Sequence, residues 1–133
     1  MQLNYFNRPY FENGAIKKIS EVLKINGIKN PLICTDPGLS SIGMTEKIRN
    51  LISEDLSSSF YEETPANPTE KAVKEALELY KTNNCDGVVG FGGGSSMDLA
   101  KAVALMANHE GSLLDYSVNE GGYGKITETM PMV

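Results

Sequence analysis

The chain has 133 residues, of which 41% are hydrophobic and 22% are charged, and its formal net charge is −5. This length gives about one domain with a sizeable core. With no basic cluster and no long apolar run, the sequence argues against nucleic-acid binding and against a membrane span. Two cysteines are too few for a disulfide framework. The N-terminal residues 1–8 lack the layout of a secretory signal, which predicts a cytoplasmic location.

The first half of the chain alternates between helical and strand patterns. Apolar residues at helical spacing predict a helix over 14–26 that ends at Asn26-Gly27. Residues 31–35 predict a strand that contains Cys34 as a small buried hydrophobe and ends at Asp36. A helix is predicted over about 41–53, and residues 57–62 form a weaker strand candidate.

The second half continues the alternation. Asn67-Pro68-Thr69-Glu70 predicts a helix start with Asn67 as the N-cap. A strand over 86–91 and a helix that ends near Ala107 follow. This order predicts an α/β fold, a doubly wound and mostly parallel sheet with helices on both faces. Ligands of such sheets bind beyond the carboxyl ends of the strands, which is where Asp36 and Asn67 fall.

Three consecutive glycines, Gly92-Gly93-Gly94, stand between the last strand and the last helix. Glycine allows a tight turn and the close approach of an anion, and the N-terminus of the next helix favours a phosphate. The sequence therefore predicts a phosphate site, with a turn required by packing alone as the alternative. Ser95 and Asp98 have the spacing of a capping box, so both also have a structural explanation.

A Rossmann fingerprint places a ribose-binding acid about 20 residues after its glycines, at the end of a strand. Asp115 stands near that distance, but a helix and a turn precede it, so we expect a structural role for Asp115. Asp36 ends a predicted strand and is the better candidate for the ribose.

The residues in this order resemble the N-terminal domain of the iron-containing (group III) alcohol dehydrogenases. The similarity covers nearly the whole chain, and the glycine segment is its most specific part. It rests on Phe11-Glu-Asn-Gly-Ala15, Thr35-Asp-Pro-Gly-Leu39, Asn67-Pro-Thr69, Gly92-Gly-Gly-Ser-Ser-Met-Asp98, Ala100-Lys101 and Leu114-Asp-Tyr116.

The resemblance implies a Rossmann-like domain over residues 1–133 that binds a nicotinamide dinucleotide. Asn67 would lie near the adenosine. Asp36 would bind the adenosine ribose and repel a 2′-phosphate, which favours NAD over NADP. For Asp98, cofactor contact and capping both stay open. The residues that would face the pyrophosphate are Gly93, Gly94, Ser95 and Ser96.

Members of this family hold divalent iron or zinc with one aspartate and three histidines in a helical second domain. His109 is the one histidine here and cannot form that site, so no metal ligands are expected in this chain. We expect His109 to be a partly exposed residue at a helix end. The apolar residues 130–133 read as a strand cut off midway, which suggests that the domain is truncated at its C-terminal end.

The resemblance implies hydride transfer between a small alcohol or aldehyde and NAD(H) in a longer enzyme, with this chain as the cofactor platform. By itself the chain would be inactive, and its exposed faces would favour a homo-oligomer. One alternative is a glycerol dehydrogenase or a dehydroquinate synthase, although Ser95-Ser96 differs from the residues that follow the glycines in those families. The other alternative is a non-catalytic nucleotide-binding or interaction module.

Overall fold

The computed structural model describes residues 8–133. Residues 1–7, on which the location prediction partly rests, lie outside the described residues, and the cytoplasmic location stays a prediction. Among residues 8–133, none of the helices has the length and apolar character needed to cross a bilayer. The strands are β1 (Pro31–Cys34), β2 (Ser59–Tyr61) and β3 (Gly87–Gly90); the α-helices are α1 (Ile19–Ile25), α2 (Pro37–Ser41), α3 (Met44–Leu51), α4 (Glu70–Thr82) and α5 (Gly94–Met106).

The three strands form one parallel sheet in the order β2-β1-β3. Leu32 of β1 lies between Ser59 of β2 and Val88 of β3, which fixes the register. On the outer edge of β3, Met132 forms a parallel bridge with Val88. Short 3₁₀ helices connect α5 to this last segment, at Leu113–Tyr116, Val118–Glu120 and Gly122–Lys125.

Alternate residues of the sheet face two separate hydrophobic clusters, because successive side chains of a strand point to opposite faces. Leu32 and Val88 pack with residues of α4 and α5. Ile33 and Val89 pack on the other face with residues of α1 and α3. The predicted α/β fold, a parallel sheet with helices on both faces, is confirmed.

Two predicted helix starts differ from those in the structure. Asp36 caps α2, which begins at Pro37, and the chain then breaks at Gly43 with φ +79°. The helix predicted over about 41–53 corresponds to α3, which begins at Met44, and the short helix α2 before it was not predicted. For α4, the cap is Thr69, whose hydroxyl accepts from the Ala72 N–H at 3.2 Å.

Both cysteines are free and buried. Burial raises the pKa of the Cys34 thiol to about 12, with a smaller contribution from Cys85, whose own pKa burial also raises. Because the thiolate is the reactive form, these thiols are chemically quiet. Cys34 packs between the sheet and its helices as the predicted small hydrophobe.

Asp86 ties β1 and β3 together where the two strands begin. Its carboxylate accepts from the backbone N–H of Asn30 at 2.8 Å and from that of Lys29 at 3.0 Å. Its own N–H donates to the carbonyl of Asn30 at 3.0 Å. The clamp holds the two strands in register before they reach the opposite edge of the sheet.

We expect Asp86→Ala to lower the free energy of unfolding by about 1–3 kcal/mol, because two backbone donors lose a charged acceptor. The measurement is urea denaturation. Asp98→Ala is the matched control: Asp98 forms an exposed pair with Lys101, so its loss should cost about 0.5 kcal/mol or less. Equal costs for the two variants would contradict the role assigned to Asp86.

Candidate functional site

An open cleft of about 370 Å³ lies at the carboxyl ends of the three strands. Its walls are Asp36 and Pro37 after β1 and residues 64–66 after β2, and its floor is residues 93–96 at the start of α5. A second cleft of the same volume lies among the 3₁₀ helices and is lined by Leu114, Asp115, Glu120 and Lys125. Size does not distinguish the two clefts, but the strand ends and the helix N-terminus belong to the first.

The glycines at the cleft have different physical requirements. Gly92 has φ +141°, and a Cβ there would lie 2.9 Å from the Ser96 Oγ and 3.1 Å from the Asp36 Oδ2. The fold itself therefore requires glycine at position 92. At Gly93 and Gly94 an added Cβ would meet no heavy atom within 4 Å. Packing around the turn therefore explains the glycine at position 92. It does not explain Gly93 and Gly94, which border open space.

Helix α5 begins at Gly94 without a side-chain cap. Its first backbone N–H groups have no partner within the helix, so they carry the positive end of the helix dipole at the cleft floor. The predicted capping box of Ser95 and Asp98 is wrong. The Ser95 hydroxyl donates to the Ala66 carbonyl, and the Asp98 carboxylate pairs with Lys101 at 3.1 Å.

Within residues 8–133, six buried side-chain hydroxyls have no hydrogen-bond partner, and two of the six line the cleft. The side chains are those of Ser96, which is 1% exposed, and Thr64, which is 2% exposed. A buried polar group without a partner costs free energy, and native proteins rarely tolerate it. A ligand with phosphate or hydroxyl oxygens in the cleft would supply the missing partners.

Asp36 stands where β1 ends and contributes negative charge to the cleft. Its Oδ1 accepts from the Leu39 N–H at 3.0 Å, while its Oδ2 lies close to Gly92. The carboxylate is thus fixed beside the glycine turn and remains partly exposed.

The structure brings five of the seven predicted site residues together and leaves two outside. Asn67 and Asp98 are both exposed and neither lines the cleft, and Asp98 pairs with Lys101 on α5. Thr64 lines the cleft and was missed by the sequence prediction. It could have been found with the rule that selects Asp36, because it follows the end of β2. The residues brought together are Asp36, Gly93, Gly94, Ser95 and Ser96.

No metal centre is formed within residues 8–133, where no three His, Cys, Asp or Glu side chains are arranged to hold an ion. The His109 ring is bound instead to the Leu105 carbonyl and to Thr127. Asp115 forms a capping box with Ser112, which confirms its predicted structural role.

The sequence profile of the family described as iron-containing alcohol dehydrogenase matches residues 7–133. The chain belongs to this family. It is 38% identical to a 4-hydroxybutyrate dehydrogenase of Cupriavidus necator over 93% of its own length and 32% of that protein. It is 40% identical to a choline dehydrogenase of Bacillus subtilis, over 81% of its length and 27% of that protein.

Solved structures of this family have the same fold. The NADH-dependent butanol dehydrogenase A of Thermotoga maritima superposes with a TM-score of 0.83 at 31% identity, over 99% of this chain and 34% of that one. A sulfoacetaldehyde reductase of Bifidobacterium kashiwanohense, solved in complex with NAD⁺, gives 0.80 at 25% identity, over 99% of this chain and 35% of that one. The chain thus spans about a third of the length of these relatives.

The glycines provide a direct stability test. We expect Gly92→Ala to lower the free energy of unfolding by about 1–3 kcal/mol, because it adds backbone strain and a steric clash. Gly93→Ala and Gly94→Ala should change it by less than about 1 kcal/mol, and Gly94→Ala should if anything stabilise α5. Urea denaturation of the three variants measures the change in the free energy of unfolding. Equal losses of stability at all three positions would show that packing requires all three glycines.

Proposed function

We propose that the cleft holds the pyrophosphate and adenosine ribose of a nicotinamide dinucleotide, and that residues 1–133 are the cofactor-binding part of an NAD-dependent alcohol dehydrogenase. The observation that carries this proposal is the combination of open space above Gly93 and Gly94 with the unpartnered hydroxyls of Ser96 and Thr64. Unpartnered hydroxyls also occur away from the cleft, so the argument depends on these two standing beside the two glycines at the uncapped start of α5, where a phosphate would fit.

The charges of the cleft suit a dinucleotide whose pyrophosphate lies at the start of α5 and whose ribose lies beside Asp36. The uncapped N-terminus of α5 would bind the pyrophosphate through backbone N–H groups. The Asp36 carboxylate would accept hydrogen bonds from ribose hydroxyls, since an ionised carboxylate is an acceptor only. A 2′-phosphate beside Asp36 would be repelled, which favours NAD over NADP.

When bound, the dinucleotide supplies a hydride donor or acceptor. This chain's own contribution is to bind and orient it, because binding energy spent on the remote phosphates and ribose fixes the reacting end in place. Residues 8–133 offer no ligand set for iron or zinc, so no metal-dependent step is assigned to them. The substrate is proposed to be a small alcohol or aldehyde, bound by parts of the enzyme outside this chain.

The relatives' names support an alcohol dehydrogenase over the dehydroquinate synthase and non-catalytic alternatives, and a glycerol dehydrogenase would catalyse the same type of reaction. The relatives are dehydrogenases of 4-hydroxybutyrate and choline, and a structural neighbour is an NADH-dependent butanol dehydrogenase. What these proteins share is the oxidation of an alcohol group or its reverse, and that reaction is the one we propose.

Ser96→Ala should raise or leave unchanged the free energy of unfolding, because it removes an unpartnered buried hydroxyl. The same variant should weaken NADH binding by about tenfold, the effect of losing one good hydrogen bond to a charged group. Thr64→Val should behave in the same way. Calorimetric titration with NADH and urea denaturation of the protein at its natural length measure the two effects. Weaker binding with equally reduced stability would indicate a merely structural role.

Asp36→Asn tests the choice between NAD and NADP, because asparagine keeps the cap on α2 and removes the charge. We expect the wild-type protein to bind NADH in preference to NADPH, and the variant to bind NADPH about tenfold more tightly than the wild type does. NADH affinity should fall in the variant, because the amide NH₂ that replaces one carboxylate oxygen donates and cannot accept from a ribose hydroxyl. Calorimetric titration measures all four affinities.

Asp98→Asn is the matched control for Asp36→Asn, because it removes a carboxylate that lies on α5 outside the cleft. It should leave the preference for NADH unchanged. A wild-type protein that binds neither dinucleotide would refute the proposed site. An equal change of preference in both variants would refute the specific role of Asp36.

A further inference from the structure

His109, just beyond the end of α5, holds the last segment of the chain through both of its ring nitrogens. Its Nδ1 lies 2.7 Å from the Leu105 carbonyl oxygen. A carbonyl can only accept, so Nδ1 must carry the proton. In a neutral ring Nε2 is then an acceptor, and the Thr127 N–H donates to it at 3.1 Å. The Thr127 hydroxyl lies 3.3 Å from the same nitrogen.

Further contacts extend this attachment from Thr127 to the edge of the sheet. The Asn108 side chain donates to the Glu128 carbonyl at 3.3 Å, and the Met130 N–H donates to the Ala104 carbonyl at 3.0 Å. Residues 131–133 then bond to the outer edge of β3. The last of these bonds runs from the Gly90 N–H to the Val133 carbonyl at 2.9 Å, two residues before Gly92.

We propose that His109 is a proton-sensitive positioning residue that fixes residues 127–133 along β3. A proton on Nε2 converts the acceptor into a donor that faces the Thr127 N–H. The bond from the Thr127 N–H is then lost, and the attachment of the segment to the end of α5 is weakened. The neutral ring is thus the form that keeps this side of the sheet covered.

For the protonated ring, the Thr127 hydroxyl oxygen at 3.3 Å is the acceptor within reach, and it does not restore the bond from the Thr127 N–H. The Tyr116 ring packs edge-on against the His109 ring, with 5.0 Å between the ring centroids. The Tyr116 hydroxyl donates to the Glu110 carbonyl at 2.6 Å. The Asp115 carboxylate accepts from the Ser112 N–H. The charged side chains of Glu110, Lys125 and Glu128 are exposed, and within residues 8–133 none of them forms an ion pair or a hydrogen bond with the ring.

The experiment has two readouts, both on the protein at its natural length. Nitrogen-15 NMR of the histidine side chain at about pH 7.5 should find His109 neutral with the proton on Nδ1. Hydrogen exchange, expressed as protection relative to the unstructured chain, should show a fall of about tenfold at the Thr127 and Met130 amides between about pH 7.5 and about pH 5.5. Protection at Leu99 and Val103, in the buried part of α5, should not fall.

Two variants distinguish the pH dependence of the His109 attachment from a general loss of stability at acid pH. His109→Gln keeps a donor for Leu105 and an acceptor for Thr127 but does not titrate, so it should keep the segment protected at both pH values. Asn108→Ala removes the neighbouring bond and should retain the pH dependence. A proton on Nε2 of the neutral ring, an equal loss at Val103, or the same pH dependence in His109→Gln would each overturn the proposal.

Discussion

Helix α5 approaches strand β3 so closely at Gly90 that even a Cβ there would be tighter than an ordinary van der Waals contact. A Cβ on Gly90 would lie 3.0 Å from the Cα of Met97 and 3.3 Å from the Cβ of Ala100. This contact sets the position of the whole helix on the sheet. The N-terminus of α5 therefore lies at the floor of the cleft, and the residues at and beyond its C-terminal end reach the segment that pairs with β3. The proposed cofactor site and the His109 attachment both depend on the placement of this one helix.

The cleft combines a positive end with a fixed negative side chain. The uncapped helix start favours phosphate, whereas Asp36 disfavours it and suits a sugar hydroxyl. Because Asp36 also caps α2, its carboxylate cannot turn away without exposing a backbone donor. The two ends can therefore read two different chemical groups of one extended ligand, which is what a dinucleotide presents.

The strands, the parallel sheet and most of the cleft could be predicted from the sequence because they follow from local apolar periodicity and from one rule about strand ends. The caps could not. The S-x-x-D pattern at Ser95 and Asp98 is a local signal, but the Ser95 hydroxyl finds the Ala66 carbonyl across the cleft. Thr69 caps α4 in place of Asn67 because the chain turns two residues later than the proline suggested.

The partners of His109 were also beyond local reasoning. His109 bonds to Thr127, which is 18 residues further along the chain, and the intervening 3₁₀ helices have little periodicity to read. The sequence correctly predicted that His109 is a partly exposed residue at a helix end, but it did not predict the hydrogen bonds of its ring. Thr64 was not predicted because the weak strand pattern before it does not mark clearly where β2 ends.

The bond between Ser95 and Ala66 has a kinetic consequence. It ties the loop after β2 to the first turn of α5, so one wall of the cleft is already joined to its floor in the free protein. A ligand that enters does not have to order this loop, and less conformational entropy is lost on association. Binding should then resemble docking into a preformed groove, with an association rate limited by encounter and orientation instead of by a rearrangement of the protein.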